Sequence, residues 1–376
     1  MKKFVVLFIL LLFPCFVKAE LAVNAKSAIM IEESTGKVLF ENNADERRAP
    51  ASMTKVMTLL LIMEHIESGK IKLSDKVMIT ENAASMGGSQ VFLEAGTEMT
   101  VDELIKAICI ASGNDAAVAL SEYIAGSEDK FVELMNKRAK ELGMKNTTYE
   151  NPHGLDSENH LTSARDMAIV ARELVKHKKI LEYSSTYEEY LKKPDGSSTW
   201  MVNTNKLIRY YSGLDGLKTG FTETAGYCLT ATANKNNMRL ITVVMGEESS
   251  EVRNKETVEL LNYGFANYKK NVVIKNNTDL GTIEIKNGKK QVVNLKLVTD
   301  AVDLSDKNDE GNYDKKIKLN EVKAPIKVGD IVGKLDLYKN GKKINSFDVT
   351  VKEDVKKANY FDYYKRNIKS MFNGIL

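Results

Sequence analysis

Ala49-Pro50-Ala51-Ser52-Met53-Thr54-Lys55 runs directly into Val56-Met57-Thr58-Leu59-Leu60-Leu61-Ile62-Met63, and the reading of this stretch decides the fold. Its second half is apolar on every side, which suits a helix buried in the middle of a domain. Pro50 stands where a helix begins, because its fixed φ and missing N–H cost little there. Ser52 then falls in the first turn, and Lys55, three residues on, lies one turn above it on the same face. A hydroxyl and an amine are neighbours by geometry. Serine needs a base within hydrogen-bond reach, and a lysine serves as one when burial and a second cation pull its pKa down. Lys218 is the candidate for that cation.

Upstream, Ala28-Ile29-Met30-Ile31 and Val38-Leu39-Phe40 flank a turn at Gly36 and read as a β-hairpin. Downstream the pattern is mostly helical. Val101 to Ile110 carries a helical apolar face introduced by Thr100 and Glu103, a capping box. It breaks at Ser112-Gly113-Asn114-Asp115 before a helix resumes over Ala116 to Ile124, and such a break leaves polar side chains in a turn. Phe131 to Leu142 and Ser163 to His177 read as amphipathic helices. From about Trp200 the period is that of strands: the segment containing Lys218-Thr219-Gly220, then Gly226 to Ala233, then Leu240 to Met245, a meander with the KTG stretch on its first strand. A helix from about Glu251 to Tyr268 closes the unit. Hairpin, helices and strands together indicate an α+β domain with helices packed on an antiparallel sheet.

Beyond residue 270 come short alternating segments, Val272–Ile274, Thr282–Ile285, Val292–Val298, Ile317–Leu319 and Ile331–Tyr338, separated by turn signals at Asn287-Gly288 and Asn340-Gly341. They read as a small all-β domain. At the end, Tyr360, Tyr364, Ile368, Met371, Phe372 and Ile375 recur at helical spacing beside Lys357, Lys365, Arg366 and Lys369. This helix suits either a membrane interface or docking on the β domain, and its basic, aromatic character favours the membrane surface. At the start, Lys2-Lys3, an apolar run from Phe4 to Val17 and Val17-Lys18-Ala19 form an export leader. Domains are therefore expected at residues 1–19, 20–268, 269–355 and 356–376, with the chain exported and attached peripherally to the outer face of the cytoplasmic membrane.

The formal charge of +3 comes from the leader, whose three lysines meet no acid; without them the 54 basic residues fall to 51, equal to the 51 acidic ones. A balanced chain gives no electrostatic reason to expect nucleic acid. Cys109 and Cys228 lie in separate apolar segments and read as buried free thiols. His65, His153 and His177 have no partner spacing and read as surface or packing residues. No H-E-x-x-H or paired-cysteine motif is present, so neither a metal nor another cofactor is expected.

Ser52-x-x-Lys55, Ser112-Gly113-Asn114 and Lys218-Thr219-Gly220 occur in the order of the S-x-x-K, S-D-N and K-T-G set of β-lactamases and penicillin-binding proteins, with Gly in the middle motif. With Asp45 to Lys55, Gly88 to Leu93, Ala111 to Ala116, His160 to Met167, and Asp215 to Phe221 followed by Ala225-Gly226-Tyr227, the whole chain resembles the low-molecular-mass penicillin-binding proteins. Within them it is similar to the serine-type D-alanyl-D-alanine carboxypeptidases of peptidase family S11. That resemblance implies a β-lactamase/transpeptidase-like fold for the first domain, followed by a small β domain and an amphipathic anchor.

The resemblance also implies roles. Ser52 would be the nucleophile, attacking the bond between the terminal D-alanines of a peptidoglycan stem peptide, and Lys55 would take its proton. Ser112 would relay a proton with Lys218, and Asn114 would hold the substrate amide. The KTG strand, Lys218-Thr219-Gly220, would bind the substrate backbone as an added strand, Thr219 and Lys218 facing its carboxylate end, while Ser52 and Phe221 N–H groups would form the oxyanion hole. Arg253 matches a family arginine that reaches the terminal carboxylate; a second arginine of some relatives is Thr204 here. His160 aligns with a cleft residue and reads as structural. β-Lactams would acylate Ser52. Two other functions fit parts of the chain: a β-lactamase, which lacks a matching E-x-x-L-N loop here, and a catalytically slow scaffold for wall peptides, which has no use for the serine and its two lysines.

Overall fold

The computed structural model describes residues 21 and 24–373. The leader expected over residues 1–19, and Ile375 of the terminal pattern, lie outside them. Five antiparallel strands form the central sheet in the order Val38–Asn42, Ser27–Glu32, Met238–Glu247, Gly226–Lys235 and Leu214–Thr222. The first strand pairs with the last of the meander, Ser27 opposite Met245, so the helical region between them is one long excursion from a sheet closed by its two ends.

Alternation along the strands sends Ile29, Ile31, Ile241, Val243 and Met245 into the helical layer and Met30, Leu229, Ala231, Leu240 and Val244 onto the helix Ser250–Asn267. Both faces are covered, which is why these strands read as nearly continuous apolar runs. The covering helix begins at Ser249, whose hydroxyl accepts from the Val252 N–H. Gly264 lets it settle closely, since a Cβ there would lie 2.5 Å from Leu240 Cδ1.

Within the helical layer, a short 3₁₀ turn, Ala51–Thr54, leads into the helix Lys55–Glu67, buried from Lys55 through Met63. The capping box forms as read, Thr100 with Glu103, at the head of helix Val101–Lys106. That helix widens into a π turn, Ala107–Ala111, before Ser112 takes a left-handed conformation at φ 63° and helix Asn114–Ala125 begins. Wide turns of this kind re-aim the side chains that follow them. Here they set Ser112 and Asn114 at the break. Helices Glu128–Leu142 and Ala164–Leu174 start at serine caps, Ser127 and Ser163.

The β-rich region holds a pair of strands, Tyr268–Ile274 with Ala301–Asp306, and a six-stranded sheet sharing an apolar core that includes Val293, Leu295, Leu335 and Val349. Two of its strands escape the sequence pattern. Ala301–Asp306 is buried yet contains Asp303 and Ser305, satisfied by Tyr313, Lys339 and Asn271. Lys342–Val351 is exposed along its first half and buried only from Phe347. The Asn340-Gly341 turn is confirmed, both residues at positive φ (49° and 77°), as a two-residue hairpin loop requires.

The terminal helix, Tyr360–Asn373, starts later than the boundary at 356. Lys289 N–H donates to the Lys356 carbonyl and Ala358 N–H to that of Asn287, so residues 356–358 belong to the β region. One side of the helix touches that region, through Tyr363 on Asn287 Oδ1 (3.1 Å) and Arg366 on the Lys289 carbonyl (2.7 Å). Tyr360, Phe361 and Tyr364 stand exposed. No described helix is long and apolar enough to cross a membrane.

Candidate active site

Ser52, Ser112, Thr219, Gly220, Phe221 and Arg253 line one cleft of about 370 Å³, together with Thr204, Lys206, Tyr227 and Asn254. Lys55, Asn114 and Lys218 form its buried floor. The KTG strand lies against the turn that carries Ser52: a Cβ on Gly220 would stand 2.9 Å from the Pro50 carbonyl and 3.2 Å from the Met53 nitrogen. Glycine is what permits strand and turn to meet.

Lys55 Nζ is 3.0 Å from Ser52 Oγ, 2.6 Å from Asn114 Oδ1 and 2.7 Å from the His153 carbonyl oxygen. Two of these three partners are carbonyl oxygens that only accept, so a neutral amine donates to both of them and turns its lone pair to the serine hydroxyl. The neutral form is favoured: burial drives the Lys55 pKa well below the ordinary lysine value, and the Lys218 charge pushes the same way against Asp115. Lys218 itself is lowered to about 7, first by burial, with Cys109 opposing and Arg253 assisting. Its Nζ donates to the Thr219 carbonyl. Lys55, pushed toward its neutral form, thus lies within electrostatic reach of Lys218.

Asn114 is committed at both ends of its amide, Oδ1 to Lys55 and Nδ2 to the Gly87 carbonyl at 2.7 Å. In this state it holds Lys55 rather than presenting a free amide to the cleft. Asp115, also buried, accepts from the N–H groups of Val91 and Leu93, which fixes the loop whose Ser89 carbonyl receives the Asn114 N–H. Thr219 donates to Thr204 Oγ1 at 2.8 Å. Arg253 is buried, its guanidinium on Asn254 Oδ1, and burial lowers its pKa to about 10. Phe221 is 52% exposed and stacks on Tyr227 with ring centres 4.3 Å apart.

The sequence reads His153 as a surface or packing residue, and it is buried, but the role of the segment Asn151-Pro152-His153-Gly154 against the Ser52 turn goes unread. His153 is buried, and its carbonyl holds Lys55; the Pro152 carbonyl receives Thr58 Oγ1 at 2.6 Å. Gly154, at φ 92°, backs onto the turn that carries Ser52, where a Cβ would fall 1.9 Å from the Ala51 carbonyl oxygen. Only the run of Pro and Gly hinted at a tight loop, and nothing hinted at its partner. His160 is structural, as read. Glu150 N–H donates to its Nδ1, so Nε2 carries the proton and donates to Thr54 Oγ1 (2.7 Å), which donates in turn to the Ala51 carbonyl (2.8 Å). Burial lowers its pKa to about 4 and keeps the ring neutral. The chain ends on Ala51, whose strained φ of 48° sets the turn before Ser52.

Comparison with known proteins agrees with this arrangement. A family model for D-alanyl-D-alanine carboxypeptidase (peptidase S11) matches residues 15–249, and one for the penicillin-binding protein 5 C-terminal domain matches residues 268–357. The chain is 49% identical to D-alanyl-D-alanine carboxypeptidase DacF of Bacillus subtilis over 93% of its length and 90% of that protein's. It is 37% identical to DacC of Escherichia coli over 90% of its length and 86% of that protein's. The crystal structure of penicillin binding protein 5 from Haemophilus influenzae superposes with a TM-score of 0.73 at 33% identity, covering 89% of this chain and 98% of that one. With the serine, the two lysines and the KTG strand assembled on that shared fold, the chain belongs to the D-alanyl-D-alanine carboxypeptidase family.

Proposed function

We propose that this D-Ala-D-Ala carboxypeptidase works through an acyl-enzyme on Ser52, and the observation that carries the reading is the Lys55 amine held 3.0 Å from Ser52 Oγ by two carbonyl acceptors. Neutral Lys55 takes the hydroxyl proton as Oγ attacks the carbonyl carbon of the penultimate D-alanine. The oxyanion is received by backbone N–H groups of Ser52 and Phe221. Ser112 and Lys218 return a proton to the departing amine as the C–N bond breaks, releasing D-alanine. Water then hydrolyses the ester and restores Ser52. Arg253 and Thr219 face the terminal carboxylate. β-Lactams follow the first half of this path and stop at the ester, which is the sense in which the protein binds penicillin.

The test is release of free D-alanine from a stem pentapeptide ending in D-Ala-D-Ala. Ser52→Ala abolishes both release and covalent labelling by penicillin; persistent labelling of that variant would sink the assignment. The lysine pair adds a pH signature. Replacing Lys218 with Met removes the charge that depresses Lys55, so the acid limb of the acylation profile moves to higher pH. The difference is largest below about 7, where Lys218 is charged. An unmoved acid limb would separate the two lysines.

The export leader and the terminal helix support a place outside the cytoplasmic membrane, with the exposed face of Tyr360, Phe361 and Tyr364 lying in the lipid interface. Residues 356–358 are tied to the β region, so the informative truncation ends after Asn359. It is expected to leave carboxypeptidase activity intact and abolish sedimentation with anionic vesicles. Unchanged sedimentation would assign the helix to docking alone.

A further inference from the structure

Glu188-Glu189-Tyr190-Leu191-Lys192 and Ser198-Thr199-Trp200-Met201-Val202 fold into a two-stranded hairpin in which Tyr190 lies directly opposite Trp200. Side chains alternate between its two faces. One face carries Leu191 and Met201 into the core of the helical layer. The other carries Glu188, Tyr190, Lys192, Ser198 and Trp200, and on it Tyr190 is 65% and Trp200 58% exposed. Period two thus commits one face to the fold and leaves an aromatic pair on the other. Trp200 is the sole tryptophan of the chain.

The hairpin is held against the walls of the Ser52 cleft. Lys106 Nζ meets Glu189 at 2.8 Å, and Lys193 Nζ donates at 2.8 Å to the carbonyl of Phe92, on the loop whose Ser89 lines the cleft. Asn203 Nδ2 donates to the Ser184 and Thr186 carbonyls (3.1 and 2.9 Å). The second strand then runs on to Thr204 in the cleft wall, whose N–H donates to the Ile110 carbonyl and whose Oγ1 accepts from Thr219. Trp200 and Thr204 are four positions apart, at most about 14 Å of extended chain. A stem pentapeptide that loses its last residue has four residues between the sugar that bears it and the reacting bond, again roughly 14 Å when extended. The aromatic pair therefore lies within one stem length of the cleft wall.

We propose that the Tyr190–Trp200 face is a subsite for the glycan strand that carries the stem peptide, taking its N-acetylated amino-sugar rings while the peptide lies in the Ser52 cleft. The inference rests on the carboxypeptidase reading of that cleft. A pyranose ring offers a flat C–H face and a rim of hydroxyl and acetamide groups. Two aromatic side chains abreast, their Cβ atoms roughly 5 Å apart across the strands, suit the first, and Glu188, Lys192 and Ser198 on the same face suit the second. Tyrosine and tryptophan give this contact at little cost in conformational entropy. Charge favours the same occupant. Glu188 and Lys192 cancel, as an uncharged sugar polymer requires, whereas an anionic lipid surface calls for the basic excess that Lys365, Arg366 and Lys369 give the terminal helix. The polar residues also interrupt the continuous apolar surface that pairing with a second copy would bury.

Because Trp200 is the sole tryptophan, its emission reads this face without a label. In Ser52→Ala, which leaves the substrate whole, a disaccharide-linked stem pentapeptide is expected to shift the emission saturably, and the free pentapeptide to leave it unchanged. In the parent, KM for the disaccharide-linked substrate is expected to be about tenfold below that for the free pentapeptide, with kcat the same. Combining Tyr190→Thr with Trp200→Thr keeps strand propensity; it is expected to abolish the tenfold difference while release from the free pentapeptide stays as in the parent. Equal KM values in the parent, or a difference that survives both substitutions, would overturn the proposal. So would an emission shift produced by lipid vesicles or by raising the protein concentration, with none from the disaccharide-linked peptide, which would give the face to a membrane or to a second copy. Failure to release D-alanine from either substrate sinks the reading of the cleft instead, and the emission of Ser52→Ala still decides whether the face takes a sugar.

Discussion

Lys55→Arg is expected to lower penicillin acylation of Ser52 and D-alanine release by about 10³–10⁴-fold, the upper range of what a general base contributes. The substitution keeps a long basic side chain that can still donate hydrogen bonds. It removes the one property the site is built to produce, an amine pushed toward its neutral form. Burial and Lys218 both push Lys55 toward that neutral state, whereas a guanidinium does not deprotonate under the same pressure. Stopped-flow acylation with a chromogenic β-lactam, read beside thermal unfolding, checks it. A rate within tenfold of the parent, with an unchanged pH profile, would show that Lys55 anchors the cleft without acting as its base.

Gly154→Ala is the second large effect, and it acts through the turn that carries Ser52 rather than on a reacting group. The residue sits at φ 92°, and the added methyl would lie 1.9 Å from the Ala51 carbonyl oxygen and 2.8 Å from Thr54 Oγ1. Backbone oxygen cannot step aside as a flexible side chain can. Combining left-handed strain with overpacking gives a loss of about 3–5 kcal/mol, which for a domain of this size lowers Tm by roughly 10 °C. Where the variant folds, the displaced Ala51–Thr54 turn misplaces Ser52 relative to Lys55, and acylation falls with it. Differential scanning calorimetry and penicillin labelling separate the two consequences. A change of less than 3 °C with full labelling would mean that the loop and the turn are not locked together.

These two residues mark where the sequence was and was not legible. Ser52 and Lys55 could be placed from spacing alone, because three residues along a helix is a local geometric constraint. The same holds for the capping box at Thr100 and Glu103 and for the Asn340-Gly341 turn, each fixed by atoms within a few residues. The meander was legible because its strands are buried on both faces and read as nearly continuous apolar runs. Ala301–Asp306 was not, since its buried Asp303 is answered by Lys339 and Tyr313 from other strands.

By itself the sequence determined the motifs, their order, the helix that buries Lys55 and the strand that bears Lys218, along with a resemblance that runs the length of the chain. Only the tertiary structure decided that His153 supplies a carbonyl to Lys55 from 98 positions away, that Asn114 holds the base at one end and a loop at the other, and that Gly154 braces the turn before Ser52. The difference is physical. Helical spacing and turn chemistry act through neighbouring bonds and leave a pattern in the residue types. A backbone carbonyl is the same group in every residue, so its recruitment to a site leaves no mark until the chain has folded around it.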